Sequence, residues 1–159
     1  MSAAIPPPNR IPWPPIIYGS AVAAAVGLGF VLPRPVWPSG SAWAAFGWAL
    51  IIAGVGLDVA AMVTMSRQRA NILPHRAATA LVTTGPFAWS RNPIYLGNTI
   101  AVSGAAFAFA NPWFLAAALL AAIAVTPLAI RREEAHLAKL FGAEWRAYSQ
   151  RTARWIGRR

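Results

Sequence analysis

Leu81 to Gly97 reads LVTTGPFAWSRNPIYLG, and the reading of this stretch decides the fold. It sits between two pairs of apolar segments and holds a Gly-Pro turn, an Arg-Asn-Pro turn and Tyr95. Asn92 followed by Pro93 suits a helix start, because Asn is a good N-cap and Pro belongs at the first helical position. A helix starting there begins at a membrane surface, with its unsatisfied N–H groups and positive dipole end facing out of the lipid. Such a terminus suits an anion, and Arg91 adds a fixed positive charge beside it. Gly-Pro and Asn-Pro also punctuate ordinary loops, so the stretch alone leaves both readings open.

Composition decides the solvent. The 159 residues are 57% hydrophobic and only 11% charged, against roughly a quarter charged in soluble domains. A small soluble protein has too little interior to hide that apolar surface, so much of the chain must face lipid. The absence of cysteine removes disulfides, Fe–S clusters and Cys-ligated zinc. His75 and His136 are too few for a histidine-only metal site, and the four acidic residues show no metal-ligand spacing, so no metal is expected. The net charge of +10 lies in blocks flanking apolar segments. The positive-inside rule accounts for that pattern better than nucleic-acid binding does.

Outward from the central stretch, four apolar segments appear. Residues 1–15 form a proline-rich lead-in with Pro6, Pro7, Pro8, Pro12, Pro14 and Pro15, without helical periodicity; lacking signal-peptide features, it is expected to be retained. Residues 16–65 carry the first transmembrane pair, about Ile16–Leu32 and Trp43–Met65. Trp37 and Trp43 suit an interfacial belt. Asp58 interrupts the second segment, either as an intramembrane functional group or as a structural one near the cytoplasmic end, where it meets water or an arginine. Gly47, Gly54 and Gly56 permit close helix approach.

Residues 66–159 follow as one region. A polar connection from Ser66 to Asn92 holds Arg67, Arg69, His75, Arg76 and Arg91, and its turn residues with Phe87 and Trp89 predict an ordered loop. The second pair spans about Pro93–Ala110 and Trp113–Ile130, joined by an Asn111-Pro112 turn. Pro127 should kink the last segment and free the backbone acceptor at Ile123. In the tail, Leu137, Leu140, Phe141, Trp145 and Tyr148 form one apolar stripe at helical spacing. This predicts an amphipathic helix lying on the membrane or folded over the helix ends. Its basic end, Arg151, Arg154, Arg158 and Arg159, favours anionic headgroups.

The expected fold is therefore all-α integral membrane, with about four transmembrane helices and a C-terminal amphipathic cytoplasmic helix. Four crossings leave Arg34 as the one cation of 14 on the far side, which puts both termini in the cytoplasm. The topology brings the start at Arg91–Tyr95, the kinked fourth helix and Glu133-Glu134 to one face. The glutamates are either solvated surface charges or part of a pocket for a zwitterion. Such a pocket would have an anion site at Arg91, a carboxylate at Glu133 or Glu134 and aromatic faces from Tyr95, Trp145 or Tyr148. S-adenosylmethionine fits that description, although composition does not single it out.

The order of the Gly-Pro turn, the Arg-Asn-Pro-x-Tyr turn, two apolar segments, Glu133-Glu134, Phe141-Gly142 and a spaced aromatic pair resembles the catalytic half of the isoprenylcysteine carboxyl methyltransferase family. It is also similar to the related phospholipid methyltransferases. The resemblance covers roughly residues 66 to 157. It implies an integral membrane enzyme that binds S-adenosylmethionine in a cytoplasmic pocket under the C-terminal helix, with a lipid-like substrate entering between helices. Carried over, Gly85, Pro86, Arg91, Asn92, Pro93, Tyr95, Leu96 and Gly97 line the cofactor site. Glu133 and Glu134 lie near ribose, sulfonium or substrate, and Trp145 and Tyr148 close the lid. Arg91, Glu133 and Glu134 are the expected catalytic residues, and Glu133→Gln or Glu134→Gln should lower turnover with the fold intact. Asn92 stands where eukaryotic members carry His, so no general base acts there.

The activity implied is methyl transfer to a carboxylate or thiol of a lipophilic small molecule or lipid-modified protein. Phosphatidylethanolamine N-methylation and a non-enzymatic four-helix adaptor are the alternatives. The Ala- and Arg-rich composition points to a bacterial inner membrane and a small lipophilic acceptor. Small-residue faces permit a homodimer.

Overall fold

The computed structural model describes residues 11, 13–33, 35–71 and 79–158. Pro6, Pro7, Pro8, Pro12, Arg34, His75, Arg76 and Arg159 lie outside them. The described residues are helical, in the order α1 (Trp13–Val31), α2 (Ser41–Arg67), a 3-10 turn (Gly85–Ala88), α3 (Pro93–Ala108), α4 (Trp113–Val125), a π turn (Thr126–Ile130) and α5 (Arg131–Arg151).

The first helix starts at Trp13, earlier than the expected Ile16, with Pro14 and Pro15 inside its first turn. First-turn N–H groups have no intrahelical acceptor, so proline loses nothing there and its fixed φ suits the helix. The lead-in therefore shortens at its C-terminal end. Tyr18 and Ala25, seven residues apart, are buried, while Phe30 and Val31 are exposed. The same pattern holds for Ile52, Val55 and Val59 of α2 and for Leu119, Leu120 and Ile123 of α4. Exposed apolar residues on three helices mark lipid as their solvent.

Among the described residues, three helical stretches are long and apolar enough to cross a membrane: Trp13–Val31, Ser41–Arg67 and Trp113–Arg151. Helix α3 has 16 residues, about 24 Å at 1.5 Å per residue, and packs between α2 and α4. Along the α2–α3 contact, Gly47 faces Gly104 and Ala108, and Gly54 faces Gly97 and Ala101, which makes the two helices antiparallel. The buried residues of α2 are Gly47, Gly54 and Ala61, a stripe at seven-residue spacing where the backbones meet closely. Gly56 faces open space instead.

Helix α1 runs parallel to α3. The Tyr18 hydroxyl donates to the Tyr95 carbonyl at 3.0 Å and lies 2.8 Å from the Thr99 hydroxyl, while Asn111 at the far end donates to the Ala25 carbonyl at 3.1 Å. Asn111 also accepts from the Trp113 N–H at 3.2 Å, so the Asn111-Pro112 turn anchors α1 as well as turning the chain. Trp37, Trp43 and Phe46 gather around Phe107 at this end, with ring centroids 5.1 to 5.7 Å apart.

Pro127 does not end the fourth segment. The helix passes through it by widening to a π turn, in which the Arg131 N–H reaches back to the Thr126 carbonyl. A π turn inserts one residue and accommodates the missing donor, and π turns and prolines are both places where helices bend. The apolar, membrane-crossing part ends at Ile130, where Arg131-Arg132 begin α5. The expected single stripe of the tail is then interrupted: Gly142, at φ +47° and ψ −109°, bends α5. A left-handed φ is open to glycine at no steric cost. The bend separates Leu137, Leu140 and Phe141 from Trp145 and Tyr148 and turns the last two back over the helix ends.

Candidate functional site

The site lies where α3 begins, α4 leaves the membrane and the tail returns. Gly85, at φ +59°, brings the 3-10 turn against Thr64 of α2, and Gln68 donates to the Thr84 hydroxyl at 2.6 Å. The turn thus rests on the end of α2. Tyr148 donates its hydroxyl to the Phe87 carbonyl at 2.8 Å, which pins the returning half of α5 to the turn. Burial raises the Tyr148 phenol, and nearby Arg91 partly opposes this.

The chain after α5 continues the clamp. Ala153 accepts from the Arg91 N–H at 3.0 Å, and the Gly157 N–H donates to Trp89 at 2.8 Å. The Asn92 side chain donates to the Arg154 carbonyl at 3.0 Å. Asn92 therefore occupies the N-cap position without side-chain capping. Its own N–H is satisfied by the Ser90 hydroxyl at 3.0 Å, and its carbonyl receives the first intrahelical bond from Leu96 at 3.1 Å. The helix start is covered by the tail rather than open, which corrects the capping expectation.

Within this clamp the charges are close together. Glu134 takes two bonds from Arg154, Nε to Oε1 at 3.0 Å and Nη2 to Oε2 at 2.6 Å. The Arg91 Nη2 lies 3.4 Å from Glu134 Oε1, with both side chains largely buried at 9% and 13% exposure. The Arg91 guanidinium also lies 5.6 Å from the Trp145 ring centroid, and Trp145 meets Tyr148 edge-on at 5.8 Å. The hydrogen bond to Glu134 raises the Arg154 guanidinium further. Glu133 points elsewhere, accepting from the Tyr95 hydroxyl at 2.8 Å. Burial pushes its carboxyl up to about 7, the Tyr95 bond pulls it down, and Glu134 pushes it up.

The structure thus brings together Arg91, Asn92, Glu134, Trp145 and Tyr148, with Gly85 and Pro86 in the turn and the Tyr95–Glu133 bond joining α3 to the first turn of α5. Pro93 is fully buried in the first turn of α3, and Leu96 is half-buried one turn on. Gly97 is not part of the cluster: it faces Gly54 and the Asp58 carboxylate of α2. Asp58 meets none of the described arginines; its Oδ1 is buried without a hydrogen-bond partner. His136, buried one turn beyond Glu133, likewise has an Nε2 without a partner, and burial lowers its basicity. Among the described residues, no group of three or more His, Asp or Glu side chains could hold a metal ion.

Arg154 is the site residue that sequence reasoning missed as a partner. It sits 20 residues from Glu134, among arginines of identical chemistry, and nothing in the local pattern distinguishes it.

A helical membrane protein that gathers two arginines, a glutamate and two aromatic rings at one membrane exit belongs to a class built around a polar site at the lipid boundary. Residues 42–144 match the phospholipid methyltransferase family. The match spans more than half of the chain, and the protein belongs to this family of membrane methyltransferases. It reaches back to include α2 and ends before Trp145, leaving the lid and Arg154 outside it. The chain is also similar to the nickel-cobalt-cadmium resistance protein NccN of Alcaligenes xylosoxydans xylosoxydans. The two are 33% identical over 105 residues, 65% of this chain and 49% of that protein. The chain thus spans about half the length of the relative it matches.

Proposed function

We propose that the protein uses S-adenosylmethionine to methylate a carboxylate or thiol of a lipophilic acceptor at the cytoplasmic face of a bacterial inner membrane. The observation that carries this reading is that Arg91–Tyr95 and Glu133-Glu134 fall inside the family match and meet at one helix exit.

The residues fit the cofactor by charge. Two guanidiniums face one carboxylate at Glu134, a net positive charge that suits the carboxylate of an amino acid. Glu133, held by Tyr95, is then the acid left for a cationic ammonium or sulfonium. When bound, the cofactor supplies an electrophilic methyl carbon. Arg91 and Arg154 hold the anionic end, while Trp145 and Tyr148 exclude water from above and favour a cation by their π faces. Alignment of the acceptor with the methyl carbon supplies most of the rate. A carboxylate acceptor arrives ionised, whereas a thiol must lose a proton, and Glu133, with a carboxyl near 7, is matched to take it. Methylation of a phospholipid amine is the second reading, favoured by the family's description; an amine acceptor calls on Glu133 in the same way.

Calorimetric titration of S-adenosylmethionine and S-adenosylhomocysteine into the detergent-purified protein tests the reading. Saturable binding that Arg91→Ala abolishes is expected; a folded sample that binds neither ligand overturns it in favour of a membrane adaptor. Methylated phosphatidylethanolamine in host lipids would select the amine reading.

Two results should accompany binding. Tyr95→Phe removes the hydroxyl that donates to Glu133 and should weaken cofactor affinity roughly tenfold, since bonds to charged groups contribute about 1.5–3 kcal/mol. Cofactor affinity should also fall as pH drops through about 7. Glu133 must be ionised to meet a cation, and its raised pKa means the charge is lost on acidification. In Glu133→Gln this pH dependence should be absent. A wild-type affinity that stays flat from about pH 8 to 6 would remove Glu133 from the cofactor site.

A further inference from the structure

Beside the returning half of α5 is a cleft of about 380 Å³ lined by Thr83, Ala88, Tyr148, Arg151, Thr152 and Arg158. Its lining carries two guanidiniums and no carboxylate. The nearest described ion pairs, at Glu134, engage Arg91 and Arg154 instead. The Arg151 Nε donates to the Ala147 carbonyl at 3.2 Å, which fixes the side chain along the helix. The Arg158 guanidinium lies 4.7 Å from the Trp89 ring centroid, and an antiparallel bridge between Thr152 and Arg158 holds the two sides together. Two like charges held across one cleft raise its positive potential and favour an anion. Thr83 and Thr152 add hydroxyl donors. The volume far exceeds the ~30 Å³ share of one water and lies within the range of small-molecule sites.

The surroundings indicate where the anion comes from. Trp89 is 58% exposed and Ile156 is 71% exposed, and the Gly157 N–H joins their two segments by donating to the Trp89 carbonyl at 2.8 Å. An exposed tryptophan and isoleucine beside paired arginines, outside the membrane-crossing helices, form an edge suited to the headgroup–acyl boundary. We propose that this cleft binds the phosphoryl group of a phospholipid headgroup, seating the loop and tail on the membrane surface. The cleft meets the methyl-transfer cluster at Tyr148, but its two arginines, Arg151 and Arg158, are not those of the cluster, and the proposal does not depend on that function.

Trp89 provides a reporter, because an anion drawn to Arg158 alters the cation stacked on its ring. Detergent-purified protein is titrated with a short-chain phosphatidylglycerol, with glycerol phosphate and with inorganic phosphate, following tryptophan emission, with Trp89→Phe as the blank. Saturable change with the phospholipid, weakened at least tenfold in the Arg151→Gln/Arg158→Gln double variant, is expected. Equal affinity for inorganic phosphate would keep the phosphoryl chemistry but identify the source as free phosphate. No saturable response to any of the three, or lipid binding unchanged in the double variant, overturns the proposal. Both arginines are exposed, so the variant should fold, and size-exclusion elution checks this. Titrating S-adenosylmethionine into the same variant reports on the methyl-transfer site separately.

Discussion

Replacing Glu134 by Gln is expected to release the tail from the loop and to lower the unfolding midpoint markedly. The carboxylate is the shared partner of Arg91 and Arg154, and Arg91 is only 9% exposed. Removing one member of a buried charge group leaves the others uncompensated, at a cost of about 3–5 kcal/mol. Arg154 is 34% exposed, so water screens its share and the lower end of that range applies. The tail then loses its ion-pair anchor while keeping the backbone bonds of Ala153 and Gly157 and the Asn92 bond to the Arg154 carbonyl. Trypsin should cut at Arg151, Arg154 or Arg158 much faster in the variant, and intrinsic fluorescence should show the lower midpoint. Glu133→Gln, by contrast, removes no ion pair and should keep the midpoint while losing cofactor affinity. The two adjacent glutamates thus separate into a structural and a binding role, and the ion pairs of Glu134 replace the expectation that Glu134→Gln leaves the fold intact. Wild-type protease resistance and midpoint in Glu134→Gln would refute the division.

Gly54→Val should abolish the folded protein, whereas Gly56→Ala, two residues away, should leave it intact or slightly stabilise it. A Cβ at Gly54 meets the Gly97 carbonyl oxygen, the Ala101 nitrogen at 2.7 Å and the Ala101 methyl at 3.0 Å. Two of these are backbone atoms of the facing helix, so no rotamer change relieves the contact. Valine adds further bulk, and overpacking in a close-packed interface costs about 1–3 kcal/mol or more. Helix α3 also starts at the site, so separating α2 from α3 displaces Arg91 and Tyr95. At Gly56 nothing lies within 4 Å, and replacing a helical glycine by alanine favours the helix by up to about 1 kcal/mol. Yield of monodisperse protein and thermal midpoint distinguish the pair; similar behaviour of both variants would show that the α2–α3 approach does not limit stability.

The contrast between Gly54 and Gly56 shows how far the residues could be read in advance. Both glycines suggested close helix approach, yet only one faces α3, because helical rotation puts residues two apart on different faces. The Pro127 irregularity was legible from the missing N–H, but its resolution into a π turn, with Ala129 and Ile130 buried, was not. The tail's aromatics were legible as an apolar stripe. Their return over the site came from the bend at Gly142, a conformation that glycine permits but does not dictate.

By itself, the sequence determined a helical membrane protein with a polar face at the start of α3 and the exit of α4. Lipid offers no hydrogen bonds to the backbone, so apolar runs must form helices, and the chain's charges, Asp58 of α2 apart, are left outside them. Only the tertiary structure decided which charges meet. Glu134 chose Arg154, Asn92 chose the tail carbonyl over its own helix, and Glu133 chose Tyr95. These partners lie 20 to 62 residues apart, and their pairing follows from helix packing and from the bend in α5, which no local pattern of residues encodes.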